Sequence, residues 1–258
     1  MRKINFTVLI GIVMALFTLV RYYFNTDYNE LTGEEQRIAL TVEEEIAIGV
    51  QSAQPMAERH GGLDASVESQ RLVDQVGQRI VQQSAAGSTP YQYDFHLLAD
   101  PNTVNAFALP GGQVFITRAL YDRLQDEAQL AGVLGHEVGH VVARHSAERI
   151  SQQRLAEGLT GAAVVASGGQ GGGQMAAVIA NAISMKYGRE QELESDDLGV
   201  RFMMEAGYDP SSLIYVMDIL EAASGGARQP EFASTHPSPS NRREQIRASI
   251  EKYSAASL

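Results

Sequence analysis

Cysteine is absent from the 258 residues of this sequence. Its absence excludes disulfide bonds, thiolate metal ligands, a cysteine nucleophile and lipid modification of an N-terminal cysteine. Any metal site in this chain must therefore be built from histidine, aspartate and glutamate side chains.

Basic residues are also scarce, since 20 lysines and arginines stand against 31 acidic residues and give a formal net charge of −11. A chain of this charge repels a phosphate backbone, and its sequence contains no cluster of basic residues, so nucleic acid is not an expected partner. With 44% hydrophobic residues the chain can bury one sizeable core. Its length favours a single domain of the size of a catalytic domain.

An uncharged apolar run from Ile4 to Val20 follows Arg2 and Lys3. Because no small-x-small cleavage pattern follows it, we predict a retained membrane anchor over residues 1–24, with a cleaved secretory signal as the alternative. The basic pair before the run and the acidic residues after it place the body outside the cytoplasm. In a bacterium this predicts a single-pass inner-membrane protein facing the periplasm, or a protein secreted to the periplasm if the segment is cleaved.

The rest of the chain divides into a polar tether over residues 25–40 and one domain over residues 41–258. Apolar periodicity predicts helices starting at residue 41 and over 67–83, 122–152, 184–206, 211–223 and 241–253. Alternating residues predict strands over 91–99 and 105–117, with a turn inside the second segment. The segments 155–166 and 175–185 predict a packed hairpin around a flexible glycine-rich hinge at 168–173. We predict an α+β fold that is mainly helical, with a small antiparallel sheet.

The segment GHEVGH, residues 135–140, lies within a predicted helix. At about 100° per residue, His136 and His140 fall on one face, one turn apart, where both imidazoles can reach a single ion. Glu137 stands beside the first of them. This is the pattern of a zinc peptidase site with the glutamate as general base, and such a site needs a third protein ligand.

The acidic segment REQELESDD, residues 189–197, offers that ligand. On a helix, Glu192 and Asp196 share a face with Met185, Gly199 and Met203, which points to the core. The charged residues that fall on the opposite face predict a solvated stripe: Glu190, Glu194, Asp197, Arg201 and Glu205.

Two carboxylates on an apolar face each need a cation or a strong donor. A zinc ion would satisfy Glu192, and Asp196 is placed to accept the free N–H of a ligating histidine and fix its tautomer. The alternative is a buried pairing of these carboxylates with Arg189 or another basic residue.

Two further histidines are judged by position. His145 follows His136 by nine residues, about 180° round a continuous helix, which predicts that it cannot join the same ion. His236, in the segment THPSPSNRR, has three open roles: donor to a developing oxyanion, fourth metal ligand, or plain loop residue.

These parts predict hydrolysis of a peptide bond, with one Zn²⁺ per chain held by His136, His140 and Glu192. Glu137 would take a proton from water and pass it to the leaving amine. The segment NAFALPGG just before the metal helix would bind the substrate backbone by strand addition. The residues of that predicted substrate strand are Asn105, Ala106, Phe107 and Ala108.

Four segments, NAFALPGG, GHEVGHVVARH, REQELESDDLG and THPSPSNR, resemble in composition and order the zinc metallopeptidases that include HtpX, the CAAX prenyl endopeptidase and BepA-like proteases. The resemblance implies that His136, His140 and Glu192 are zinc ligands, that Glu137 is the catalytic acid and base, and that Asp196 supports a ligand. It also implies that His236 and Arg242 contribute near the active site. Ser195 stands where the family usually has alanine, on a side expected to face away from the metal.

The single apolar run favours the extracytoplasmic branch of this family, in which a membrane-anchored endopeptidase acts on misfolded or unassembled envelope proteins. Two alternatives keep the same fold. One is a latent or non-cutting, chaperone-like module that binds client proteins, and the other is a structural zinc protein in which His236 closes the fourth position.

Overall fold

The computed structural model describes residues 6–166, 187–224, 231–236 and 241–256. The predicted hinge at 168–173 and the apolar segment 175–185 lie outside the described residues. The described helices are α1 Phe6–Phe24, α2 Val42–Arg59, α3 Val67–Gln82, α4 Arg118–Tyr121, α5 Glu127–Val142, α6 His145–Ala166, α7 Arg189–Glu205, α8 Ser212–Ser224, α9 Glu231–Thr235 and α10 Arg242–Ala256. The described strands are β1 Asp27–Asn29, β2 Glu34–Gln36, β3 Asp94–Leu98, β4 Ala106–Ala108 and β5 Gln113–Thr117. The predicted α+β class, mainly helical with an N-terminal apolar helix, is confirmed.

The chain separates into two compact units, one made of residues 1–41 and 146–185 and the other of residues 42–145 and 186–258. In the first unit α1 packs against α6 through small residues. A Cβ atom on Gly11 would lie 2.6 Å from the carbonyl oxygen of Ala162, and one on Gly158 would lie 2.6 Å from Thr18 Cγ2. Helix α1 is long and apolar enough to span a membrane, judged by length and composition alone.

A short antiparallel hairpin of β1 and β2 lies within the segment predicted as a polar tether. The hairpin escaped prediction because its three-residue strands are mostly polar and carry no apolar alternation. The residues that follow it are not all solvated either, since the side chains of Ile38 and Leu40 are buried.

The second unit contains a three-stranded sheet in the order β3–β5–β4. The predicted antiparallel sheet is correct for β4 and β5, but β3 pairs with β5 in parallel, so the sheet is mixed. The parallel pair was not predicted because apolar alternation indicates strands and not the direction in which they pair. The tight turn over Pro110–Gly112, with Gly111 at φ 79° and Gly112 at φ 112°, joins β4 to β5, and β5 lies between the other two strands.

Helix α3 covers one face of this sheet, and its sequence explains both its start and its packing. The Ser66 hydroxyl accepts a hydrogen bond from the Ser69 amide and caps the helix. Val73, Val76 and Ile80 recur at helical spacing and are buried. Between them Gly77 admits the Phe95 ring of β3 against the helix backbone.

The predicted helix over 122–152 is divided into two helices. Asp126 caps α5 by accepting a hydrogen bond from the Gln129 amide, and α5 ends at Val142. Arg144 adopts a left-handed conformation with φ 55°, and α6 begins at His145. The prediction was wrong because no glycine or proline marks this break in the sequence.

Helices α5 and α7 pack closely because glycines line their contact. A Cβ atom on Gly139 would lie 2.9 Å from the Ser195 carbonyl oxygen, and one on Gly199 would lie 3.2 Å from the His136 amide nitrogen. Real Cβ atoms rarely approach backbone this closely. The glycines therefore let α5 and α7 bring their polar side chains together inside the core.

Candidate metal centre

His136 and His140 on α5 face Glu192 on α7 in the interior of the second unit. The Nε2 atoms of the two histidines are 3.1 Å apart. Glu192 Oε1 lies 3.4 Å from His140 Nε2, and Glu192 Oε2 lies 3.6 Å from His136 Nε2. The structure thus brings together the three side chains that the sequence proposes as metal ligands, each no more than 2% exposed.

The spacing of these atoms fits a small tetrahedral cation. With bonds of about 2.0–2.1 Å to zinc, the ligand atoms of a tetrahedral site lie about 3.3 Å apart. The two Nε2 atoms, 3.1 Å apart, and the 3.4 and 3.6 Å distances from them to the two oxygens of the Glu192 carboxylate are close to that value. Two imidazole nitrogens and a carboxylate with one position left over are a donor set suited to catalytic zinc.

Asp196, one turn after Glu192, supports the first histidine. Its Oδ1 atom lies 2.9 Å from His136 Nδ1, so the Nδ1–H donates to the carboxylate and Nε2 keeps its lone pair for the ligand position. The two carboxylates also have a basic partner, which was the alternative to a metal ion. This partner is Arg242 and not Arg189. Arg242 Nε and Nη2 donate to Asp196 at 2.5 and 2.9 Å, and Nη1 lies 3.2 Å from Glu192 Oε2.

Glu137 is the one acidic side chain of the centre whose two oxygens have no hydrogen-bond partner within the described part of the chain. Its carboxyl group is fully buried, and His236 Nε2 lies 3.7 Å from Glu137 Oε1. Burial raises the pKa of Glu137 above its ordinary value. A buried carboxylate with a raised pKa and free oxygen atoms can accept a proton from a small molecule such as water.

The pKa values of three other groups of the centre are shifted in directions that suit metal binding. Burial lowers the pKa of His140 well below its ordinary value and favours the neutral ring. Burial raises the pKa of Glu192, but the neighbouring His236 and His140 outweigh it and bring the pKa well below its ordinary value. Burial also opposes ionisation of Asp196, yet the charge of Arg242 lowers the pKa of that carboxyl overall.

His136 behaves differently from His140. Burial opposes its charged form, but the hydrogen bond to Asp196 prevails and raises the pKa of His136. As the pH falls, His136 therefore takes up a proton before His140 does. Protonation of His136 opposes metal binding, because the proton occupies a ligand lone pair.

His236 belongs to the same buried group. It directly follows the short helix α9, and its Nδ1 lies 3.0 Å from Glu192 Oε1 and 3.4 Å from His136 Nε2. One ligand atom from each of His136, His140, Glu192 and His236 can be chosen so that all four lie within 4.8 Å of one another. Stacking on Phe232, with ring centroids 4.3 Å apart, holds the His236 ring in place.

The prediction for His145 assumed one continuous helix, and that assumption was wrong, although His145 lies outside the group of possible metal ligands as expected. Because α5 ends at Val142, His145 does not continue its spiral, and its Nδ1 lies 2.8 Å from His140 Nδ1. It is not among the four grouped side chains, so it touches a ligand from the outside. Glu194, predicted in the solvated stripe, meets His145 Nε2 at 2.8 Å with its side chain 24% exposed.

The predicted substrate strand is the edge strand β4 with the residue before it. Ala106, Phe107 and Ala108 pair with β5, and Asn105 precedes them. All four side chains are at least nine-tenths buried. Helix α9 lies against the start of this strand, where the Phe232 amide donates to the Val104 carbonyl at 3.2 Å.

Comparison with known proteins identifies the group to which this centre belongs. The family model described as peptidase family M48 matches residues 68–250, which include all the site residues named above. The mitochondrial metalloendopeptidase OMA1 of Schizosaccharomyces pombe is 34% identical over 176 residues, covering 67% of this chain and 51% of that protein. The beta-barrel assembly-enhancing protease of Escherichia coli is 30% identical over 183 residues, covering 67% of this chain and 37% of that protein.

A third relative, metalloprotease YcaL of Escherichia coli, is 31% identical over 168 residues and covers 63% of each chain. This chain therefore spans between about a third and two thirds of the length of these relatives. The match extends over most of the chain and confirms the resemblance drawn from the four motifs. The chain belongs to peptidase family M48.

Proposed function

We propose that this protein is a membrane-anchored, zinc-dependent metalloendopeptidase that hydrolyses peptide bonds outside the cytoplasm. The observation that carries the proposal is a buried carboxylate, Glu137, that lacks a hydrogen-bond partner in the described structure and stands beside three ligand side chains whose nitrogen and oxygen atoms lie 3.1 to 3.6 Å apart. A structural metal site has no use for such a base. Membership of a peptidase family supports the same conclusion.

In this proposal His136, His140 and Glu192 would hold the ion, which would polarise a carbonyl as a Lewis acid and lower the pKa of a water molecule to about 7. Glu137 accepts the proton of the attacking water on a carboxylate oxygen and delivers it to the leaving amine. His236 Nδ1 faces the Glu192 carboxylate, so His236 Nε2, 3.7 Å from Glu137 Oε1, would donate to the developing oxyanion in the form of the ring that carries a hydrogen on both nitrogens. Strand β4 aligns an extended substrate by strand addition.

The proposed substrates are misfolded or unassembled envelope proteins. Support comes from the anchor prediction and from the relative named a beta-barrel assembly-enhancing protease. An extended, unfolded segment is also the form of chain that can add to a sheet edge.

Burial of the whole centre favours a second candidate, a latent enzyme or a non-cutting module that binds clients. The segment Glu231–His236 brings His236 to the ligand atoms and also contacts the residues before β4, since Asn105 Nδ2 lies 3.3 Å from Glu231 Oε1. A substrate on β4 would therefore have to displace the segment that carries His236. In a latent enzyme this displacement precedes cleavage.

Zinc removal separates these candidates. We expect the full chain, purified in detergent, to contain one zinc ion and to cleave casein. Cleavage should fall by at least about 100-fold after chelation and return when zinc is added back. A zinc-free protein that still cleaves would contradict the proposal.

A protein that binds zinc without cleaving casein calls for the His236→Ala variant. In a latent enzyme, loss of this side chain opens the ligand position and cleavage appears, at a reduced rate because the proposed oxyanion donor is lost as well. In a client-binding module, cleavage stays absent, and an unfolded protein is still retained on the immobilised chain.

The anchor is tested in membranes. We expect the full chain, expressed in a bacterium, to remain in the membrane pellet after alkaline carbonate extraction, because α1 exposes its apolar side chains. Residues 25–258 alone should appear in the soluble fraction. Digestion of the body by protease added to spheroplasts is expected for an outside orientation, and protection from it would overturn that orientation. A mature N-terminus beyond residue 20 would instead identify a cleaved signal.

A further inference from the structure

His145 is buried between a proposed metal ligand and an acidic side chain, and the proposed mechanism gives it no role. Its Nδ1 lies 2.8 Å from His140 Nδ1, and its Nε2 lies 2.8 Å from Glu194 Oε2. Ser195 Oγ approaches the same Nδ1 at 3.4 Å. The ring is 1% exposed, so water does not compete for these contacts.

When both imidazole rings are neutral, the contacts among Glu194, His145 and His140 allow one consistent arrangement of hydrogens. The carboxylate of Glu194 only accepts, so Nε2 of His145 carries a hydrogen and donates it. In the neutral ring, Nδ1 of His145 then presents a lone pair and accepts the Nδ1–H of His140. The remaining nitrogen of His140, Nε2, is left unprotonated and faces the other ligand atoms.

The fold keeps His145 in this place through the residue before it. Arg144 has φ 55°, a conformation that residues with a side chain seldom adopt, and it ends the spiral of α5. Its guanidinium Nε donates to Glu45 Oε1 at 3.0 Å. The Tyr91 hydroxyl donates to Glu45 Oε2 at 3.1 Å, so both oxygens of that buried carboxylate are engaged.

We propose that His145 and Glu194 are positioning residues that fix the tautomer and orientation of His140 for metal binding. Asp196 does the same for His136, so each histidine ligand has its outer nitrogen held by an acceptor. Ser195, for which the family resemblance implies alanine, contacts His145 of this pair through its Oγ. The inference rests on the proposed zinc site and adds to it a requirement for two residues outside it.

The test measures zinc affinity of the full chain in detergent by competition with a chelator of known affinity. We expect His145→Ala to weaken zinc binding about 10–100-fold. His145→Asn should recover most of that loss, because its amide oxygen can accept the Nδ1–H of His140. Glu194→Gln should weaken binding by about tenfold, since a neutral amide oxygen accepts the Nε2–H of His145 more weakly than a carboxylate does.

Glu190→Gln is the matched control, because Glu190 is an exposed glutamate one turn earlier on the same helix. It should bind zinc as the wild type does. Thermal unfolding of the zinc-free proteins separates positioning from folding: Glu194→Gln should melt within about two degrees of the wild type.

Zinc binding by His145→Ala and Glu194→Gln at wild-type affinity would overturn the inference, and so would an equal loss in the alanine and asparagine variants. If His145→Ala does not fold, Glu194→Gln decides the question alone. Wild-type protein that binds no zinc would instead contradict the proposed function itself.

Discussion

Replacing Glu137 by glutamine lowers kcat/KM for an unfolded protein substrate by about 10²–10⁴-fold, the usual contribution of a general acid and base. Zinc content stays at one ion per chain because Glu137 is not among the proposed ligands. The variant is also at least as stable as the wild type, since the substitution removes a fully buried acidic group whose oxygens have no hydrogen-bond partner in the described structure. Steady-state kinetics, elemental analysis and thermal unfolding measure the three effects on one preparation.

Glu127→Gln provides the control for this variant, because it makes the same chemical change at the exposed start of the same helix. Glu127 accepts a hydrogen bond from Tyr208 at 2.6 Å, has a side chain 49% exposed, and lies at the opposite end of α5 from the metal histidines. Its activity should match the wild type. Full activity in Glu137→Gln would show that Glu137 is not the general base. Loss of both zinc and activity would show instead that Glu137 is needed for metal binding.

Replacing Arg242 by methionine destabilises the zinc-free protein by about 3–5 kcal/mol, the range found when one member of a buried ion pair is removed. Arg242 is 2% exposed and lies against the carboxylates of both Asp196 and Glu192. Without it, two buried acidic groups lose their guanidinium partner. Urea unfolding of the full chain in detergent, after chelation of zinc, gives the difference in free energy.

Arg243→Met is the matched control at the next position. Its guanidinium pairs with Asp218 and Glu221 at the surface, and its side chain is 39% exposed, so we expect a loss of no more than about 1 kcal/mol. A similar loss of unfolding free energy in both variants would show that the buried ion pairs of Arg242 stabilise the protein no more than the surface pairs of Arg243 do.

The effect of Arg242 should depend on pH in a defined direction. Arg242 lowers the pKa of Asp196 in the folded protein, so the stabilisation is complete above the ordinary aspartate pKa of about 4. It is lost as the pH falls through the lowered folded pKa. In Arg242→Met the buried carboxyl takes up a proton at higher pH, so the difference between variant and wild type shrinks on acidification.

The helices could largely be predicted from periodicity, and the sheet could not. The prediction of a helix over 67–83 agrees with α3, Val67–Gln82, because valine and isoleucine recur at helical spacing and Ser66 caps the start. Strand order depends instead on where the chain goes between strands. The turn of Pro110–Gly112 pairs β5 with β4 but leaves open which of the two lies beside β3, and local alternation contains no information about that choice.

The site residues that lie on regular helices could be predicted from the sequence, and the one that lies at a break between helices could not. The angular argument for His136, His140, Glu192 and Asp196 needs only that α5 and α7 be regular over those residues, and they are. It failed for His145 because the break at Arg144 depends on a tertiary contact with Glu45, a residue about one hundred positions earlier. A sequence pattern confined to one helix does not contain that contact.

Anomalous diffraction at the zinc absorption edge, recorded from crystals of the full chain, tests the central claim most directly. We predict one peak per chain, about 2.0–2.2 Å from His136 Nε2, His140 Nε2 and a carboxylate oxygen of Glu192. A peak elsewhere, or one in which His145 or Asp196 replaces any of these three ligands, would contradict the assignment of the centre.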